Sequence, residues 1–236
     1  MMRPWIEGDH LDYRALLEFA VDRRMGRTPS EQLYIKRDKR RRDVAVLVLV
    51  DFSRSTANQA SGSLSSRVLD IEMEAVVLLS EALNVAGDQF AVAGFSGSGR
   101  SGVDYLRIKN FNDPFDERTR YRLNGVAPMR STRMGAVIRH ASRQLENVSA
   151  RVRLLLLLTD GFPNDVGYKQ DYALADTRQA VSETLARQIH FRAIVVNMSG
   201  DPKLDALYGK FQHSLISDIG ELPDKLVRIY GRMTRM

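Results

Sequence analysis

Three segments of this chain are almost wholly apolar, and each stops at a polar residue. Val44 to Val50 runs without interruption into Asp51, the five leucines Leu154 to Leu158 give way to Thr159-Asp160-Gly161, and Phe191 to Val196 leads to Asn197. A strand with one wet face alternates apolar and polar residues, whereas a strand covered on both faces reads as a continuous apolar run. The segments around these runs have helical periodicity. Arg67 to Ala86 places Val68, Ile71, Ala75, Val76, Leu78, Leu79, Ala82 and Leu83 at helix spacing, and Met134 to Leu145 and Tyr172 to Arg187 are more polar versions. A short strand at Ser214 to Ile216 and a helix from Leu222 to Met233 close the chain. This alternation predicts an α/β domain, doubly wound, with a mostly parallel sheet and helices on both faces.

One pair departs from the alternation. Gln89 to Phe95 and Tyr105 to Ile108 read as strands joined by a Gly/Ser turn at Ser96 to Gly102. That turn has no room for a crossover helix, so the two strands must be antiparallel, a hairpin at a sheet edge.

Ahead of the first buried strand, Leu11 to Met25 reads as a helix stopped by Gly26 and Pro29, followed by a basic connector. The expected division is therefore residues 1–42 as helix and connector, and 43–236 as the α/β domain. The connector holds Lys36, Arg37, Lys39, Arg40, Arg41 and Arg42 against Asp38 and Asp43, so it supplies most of the net charge of +6. Such a run is either a nucleic-acid patch or a solvated lead into the next strand. No aromatic residues interleave it for base stacking, so nucleic acid is not expected as a partner. The chain has no cysteine, which removes disulfides and thiolate metal sites and suits a reducing cytoplasm. It has no apolar stretch long enough to span a membrane and no signal-peptide grammar at Met1 to His10. The doubled Met1-Met2 raises the expectation of a C-terminal piece of a longer protein.

Gly97, Gly99 and Gly102 match G-x-G-x-x-G, but a dinucleotide fold needs a helix opening there, and Val103 onward reads as strand. No P-loop occurs either. The informative stretch is Asp51-Phe52-Ser53-Arg54-Ser55. In a doubly wound sheet, ligands bind beyond the carboxyl ends of the strands. Asp51 and Asp160 each end a buried strand, and Ser53 and Ser55 can face the same way from an extended loop. If the two strands are neighbours, two carboxylates and two hydroxyls converge. An all-oxygen set of this kind suits a hard cation such as Mg²⁺, while the scattered His10, His140, His190 and His213 give no zinc pattern. Each residue alone also has an ordinary reading, the aspartates as helix caps and the serines as turn residues.

Asp51-x-Ser53-x-Ser55 after a hydrophobic strand resembles the metal-ion-dependent adhesion site of von Willebrand factor A (vWA) domains. Ser131-Thr132-Arg133-Met134-Gly135 and Thr159-Asp160-Gly161 are similar to the threonine and aspartate loops of that family. The resemblance spans roughly Asp43 to Met233 and implies a metal site of Asp51, Ser53, Ser55, Thr132 and Asp160. The implied ion is Mg²⁺, with Mn²⁺ or Ca²⁺ as alternatives. It would take an external carboxylate from a partner protein as its last ligand. Glu7-Gly8-Asp9, Tyr34-Ile35-Lys36-Arg37, the extended threonine loop to Ala141 and Leu222-Pro223-Asp224-Lys225-Leu226 resemble one bacterial branch. That branch holds the C-terminal domains of CbbO, a rubisco activase adaptor, and NorD, a nitric-oxide-reductase accessory protein. Both are partners of MoxR-type AAA+ ATPases. The resemblance implies a cytoplasmic, non-catalytic adaptor whose client is rubisco first and nitric oxide reductase second. Two departures are Phe52, where an aliphatic residue is common, and Gly161 to Asp165, which lacks the more acidic run of the branch.

Two other functions are weighed against this one. A Mg²⁺-dependent hydrolase of the haloacid-dehalogenase kind would want a second acid at position 53, which is Ser53, and Gly94-x-Ser96-x-Ser98 is not a nucleophile elbow. A nucleic-acid module would work through the basic run and ignore Asp51. Arg54, Arg130 and Arg133 lie near the expected rim, where they either steer an acidic client or are plain solvated charge.

Overall fold

In the computed structural model, residues 4–5, 10–11, 13–32, 34–35, 43–60, 66–196 and 201–234 are described. The chain divides into two units, Met1–Arg41 and Arg42–Met236. In the first, helix α1 (Tyr13–Arg24) lies in sequence between the short strands β1 (Pro4–Trp5), β2 (His10–Leu11) and β3 (Tyr34–Ile35). Strand β3 pairs antiparallel with both of the others. Leu11, expected to open the helix, is a strand residue, and the helix ends before Gly26, whose φ of 71° only glycine adopts readily. The basic run at 36–42, Glu7-Gly8-Asp9 and Asn197 lie outside the described residues.

The second unit follows the alternation read from the sequence. Its elements are β4 (Val44–Asp51), α2 (Val68–Ala86), β5 (Gln89–Gly97), β6 (Val103–Lys109), α3 (Glu117–Asn124), α4 (Met134–Glu146), β7 (Val152–Thr159), α5 (Gln170–Ala186), β8 (His190–Val196), α6 (Lys203–Tyr208), β9 (His213–Ile216) and α7 (Leu222–Met233). The sheet runs β6-β5-β4-β7-β8-β9. Every pairing is parallel except β5 with β6, the edge hairpin.

The pleat of β4 sorts the layers. Val46, Val48 and Val50 face one core with Leu69, Val76 and Leu79 of α2 and Leu226 and Tyr230 of α7. Ala45, Leu47 and Leu49 face the other, with Met134, Val137 and Ile138 of α4 and Ala180 and Val181 of α5. A strand buried on both faces has no polar alternation to lose, which is why its sequence is a solid apolar run. After β4 the chain goes to β5 on one side of it, then returns to β7 on the other. The switch point, where an open α/β sheet leaves a crevice at its carboxyl edge, therefore falls between β4 and β7.

Candidate metal centre

Asp51 closes β4 at that crevice, with Val50 paired to Leu158 of β7 on one side and Gly94 of β5 on the other. The adjacency that the sequence reading required is present. Asp51 is 1% exposed. Its Oδ1 accepts the Ser53 main-chain N–H at 2.9 Å, and its Oδ2 accepts the Thr159 hydroxyl at 2.9 Å. Beyond it the chain turns through a 3-10 segment at Arg54–Ala57, fixed by Thr56 Oγ1 donating to the Ser53 carbonyl at 2.8 Å. The turn brings Ser53 Oγ to 3.0 Å from Ser55 Oγ, and Ser55 Oγ donates to Asp160 Oδ1 at 2.9 Å. Four of the five residues named from the sequence thus form one connected group. Its floor, Asp51 and Ser53, is buried, and its mouth opens at exposed Ser55 and half-buried Asp160.

Thr132 reaches the same edge by its main chain. Ser131 exchanges hydrogen bonds with Gly97 at the end of β5, at 2.6 and 2.9 Å, and Thr132 exchanges a pair with Asn164 beyond β7, at 3.0 and 2.9 Å. The segment therefore crosses the end of β4. It runs beside the serine loop, with Met129 N–H donating to Phe52 O and Arg54 N–H to Arg130 O. Among the described residues no hydrogen bond joins the Thr132 side chain to the other four.

Electrostatics make the group uneasy without a counter-charge. Burial pushes the Asp51 carboxyl from 3.8 up to about 7, the charge of Asp160 adds to this, and the hydrogen bonds from Ser53 and Thr159 only partly oppose it. Burial also raises Asp160 against the Ser55 hydrogen bond. Two desolvated carboxyls that repel one another and share hydroxyl neighbours form an oxygen-only donor set. No group of three or more His, Cys, Asp or Glu gathers among the described residues, and the further side-chain oxygens beside the two carboxylates are the Ser53 and Ser55 hydroxyls.

The rim differs from expectation at one arginine. Arg54 is exposed, and Arg130 lies 3.4 Å from Asp104. Arg133 is no free rim charge: it is 7% exposed, its Nε donates to Asp165 Oδ2 at 3.0 Å, and its guanidinium sits 4.2 Å from the centre of the Tyr168 ring. Burial pushes Asp165 up, but the Gly99 amide, the Arg133 guanidinium and the Val166 amide together hold it below the ordinary carboxylate range. Asp165 thereby ties the hairpin tip to the threonine and aspartate loops. The glycines of the dinucleotide-like motif serve this tie. Gly99 turns at φ 76°, and a Cβ on Gly97 would lie 2.9 Å from Arg133 Cβ. Sequence reasoning also passed over Thr159, and Glu72, a fully buried acid on the core-facing stripe of α2. The signal for Glu72 was there, an acid at a position where helical spacing calls for an apolar residue.

No protein-family model matches the chain. Among curated proteins it is 36% identical to the protein NorD of Stutzerimonas stutzeri over 221 residues, covering 92% of this chain and 36% of that protein. NorD of Brucella suis is 34% identical over 231 residues, covering 98% of this chain and 36% of the relative. The chain is a vWA-like domain related to NorD. An uncharacterised Pseudomonas aeruginosa protein is 37% identical over 235 residues, covering 99% of this chain and 38% of that protein. The vWA-like domain thus spans little more than a third of these relatives' length. Among solved structures it is similar to the PilB minor pilin of Streptococcus sanguinis, at TM-score 0.65 and 14% identity over 85% of this chain and 64% of that one. It is also similar to BatB of Bacteroides thetaiotaomicron, at TM-score 0.56 and 14% identity over 82% of this chain and all of that one. At such identities the likeness is one of fold. No described helix of the vWA-like domain is long and apolar enough to cross a membrane.

Proposed function

We propose that Asp51, Ser53, Ser55, Thr132 and Asp160 hold a divalent cation, Mg²⁺ before Mn²⁺ or Ca²⁺, through which the domain grips a carboxylate of a client protein. The observation that carries this reading is the run of oxygens Ser53 Oγ, Ser55 Oγ and Asp160 Oδ1, spaced 3.0 and 2.9 Å apart at the mouth of a cleft floored by Asp51. Neighbouring ligands of an octahedral Mg²⁺ at about 2.1 Å lie about 3.0 Å apart, whereas the longer bonds of Ca²⁺ would spread them to about 3.5 Å. A cation would also relieve the repulsion between Asp51 and Asp160. With hydroxyls and water forming much of its shell, it would stay electron-poor enough to draw in an external carboxylate at the open side. That contact loses its water on docking, so it can dominate client choice.

The NorD relatives favour a nitric-oxide-reductase accessory role over the rubisco role that the sequence resemblance put first. In this reading the domain is a non-catalytic adaptor, and a MoxR-type AAA+ ATPase supplies the force. The test is capture of nitric oxide reductase and of the MoxR-type ATPase by the purified chain, with rubisco alongside, in Mg²⁺ or EDTA, for wild type, Asp51→Ala and Ser53→Ala. Capture of the reductase that is lost on chelation and in both variants, with the fold retained, is the expected result. Capture indifferent to chelation and to both substitutions would refute a metal-mediated grip. Capture of rubisco alone would return the client to the CbbO type.

A further inference from the structure

Helix α2 carries an acid where its pattern asks for a hydrophobe. Its buried stripe runs Val68, Leu69, Glu72, Met73, Val76, Leu79 and Leu83, and Glu72 is as fully buried as the leucines beside it. Both Glu72 carboxyl oxygens are sealed from solvent with no hydrogen-bond partner. Ionised, such a group is strongly destabilising; protonated, its hydroxyl still lacks an acceptor. A residue kept only for packing would be replaced by leucine or methionine to the benefit of the fold.

The topology places this acid under the candidate metal centre. Helix α2 starts at the carboxyl edge of the sheet, where Val68 N–H donates to Asn58 O at 3.0 Å just past the turn that follows Ser53. From there the helix runs back along the sheet, so Glu72 lies about 6 Å along its axis from that edge, one turn in. The charges that bear on Glu72 are those of Asp160 and Asp51, and no basic group offsets them.

We propose that Glu72 acts on the cation site from the helix side through water and charge and not as a ligand, since it does not gather with Asp51 and Asp160 into a three-acid cluster. This inference rests on the metal centre proposed above. Beneath a cation whose loop ligands are largely hydroxyls, Glu72 supplies negative charge and an acceptor for metal-bound water. It is a positioning and affinity residue, distinct from the client-facing mouth at Ser55.

Mg²⁺ titration by calorimetry of the EDTA-stripped 236-residue chain, paired with thermal melts in EDTA, tests it in wild type, Glu72→Gln, Glu72→Leu and Asp51→Ala. Both Glu72 variants are expected to weaken the Mg²⁺ Kd by roughly 10–100-fold, the usual effect of removing an outer-shell partner. In EDTA they are expected to melt no lower than wild type, because the unpartnered carboxyl is gone. Wild-type Mg²⁺ affinity in both Glu72 variants, alongside lost affinity in Asp51→Ala, would overturn the role of Glu72 and leave the metal centre standing. No Mg²⁺ binding by wild type would overturn both. Melting well below wild type in EDTA for both Glu72→Gln and Glu72→Leu would assign Glu72 to the fold and overturn the proposal.

Discussion

Raising the pH on the metal-free domain should destabilise it, which is the reverse of the usual behaviour of paired carboxylates. Asp51 titrates at about 7 in the fold against 3.8 as an ordinary aspartate, because burial and the charge of Asp160 disfavour its ionised form. Between those two values the folded state holds a proton that the unfolded state has released. Stability therefore falls as pH rises through that interval and levels off above about 7. At about 1.4 kcal/mol per unit, the full interval is worth about 4 kcal/mol. Between pH 5 and 7 that is about 2 kcal/mol, because the folded-state carboxyl is already half ionised at pH 7, or roughly 4–8 °C in Tm for a domain of this size. Asp160 and Glu72 are shifted in the same direction and steepen the trend. Asp165 and Glu183 are held below their ordinary range, so their contributions are lost only on acidification below about pH 4, outside the window. The assay is scanning calorimetry in EDTA and in saturating Mg²⁺ from pH 5 to 7.5. The expected results are a falling Tm in EDTA, a flatter profile in Mg²⁺, and loss of most of the slope in Asp51→Asn. A Tm in EDTA that is level or rises with pH would refute the reasoning.

Two substitutions test how the loops are held. Gly94→Ala would put a Cβ 1.7 Å from a Phe52 ring carbon. It should cost at least about 1–3 kcal/mol by urea unfolding, and Phe52→Val should recover much of that in the double variant; independent, additive effects would deny the contact. Arg133→Met strips the buried Asp165 of its ionic partner and should cost about 3–5 kcal/mol, towards the low end because the Gly99 and Val166 amides remain. A loss below about 1 kcal/mol would make Arg133 the plain rim charge that its sequence position suggests.

How much of this was legible follows from which residues carry local signals. Val44 to Val50 and Leu154 to Leu158 were plain because two-sided burial removes every polar residue from a strand. The hairpin was plain because no helix fits between Phe95 and Tyr105. Helix α3 was not, since among its eight residues only Thr119 and Leu123 are buried and no apolar stripe forms. Helix α6 is six residues long, too short to show a period. Strand β5 runs two residues past its expected end because the hairpin closes more tightly than its Gly/Ser turn suggests, pairing Ser96 with Asp104 and Gly97 with Val103, and Ser131, thirty-four positions on, bridges to Gly97 as well. At the site, Asp51 and Asp160 could be named from the carboxyl-edge rule alone, whereas Thr132 was named only through the family resemblance. Arg133 was misjudged because its partner Asp165 is brought to it by tertiary structure. Phe52 is accommodated by Gly94, opposite Val50 on β5, a relation between strands that no local reading contains.

The loops around the site are fixed by main-chain hydrogen bonds, Phe52 N–H to Phe95 O, Met129 N–H to Phe52 O, Arg54 N–H to Arg130 O and the pairs Gly97/Ser131 and Thr132/Asn164. Truncating a site side chain therefore removes chemistry and leaves the frame. Asp51 is the sharpest case because it opposes the metal-free fold and, in the proposed reading, serves the loaded one. Asp51→Ala loses two hydrogen bonds, each about 1 kcal/mol, and is relieved of a buried carboxyl whose ionisation at neutral pH costs more. At pH 7.5 in EDTA the variant should melt at or above wild type. In Mg²⁺ at about a hundred times its Kd, wild type should gain about 2.7 kcal/mol and the variant nothing. The order of the two melting curves should then reverse. An aspartate that merely caps or braces the loop would leave the variant below wild type in both buffers, so the crossing separates a cation ligand from a structural acid without any client in the tube.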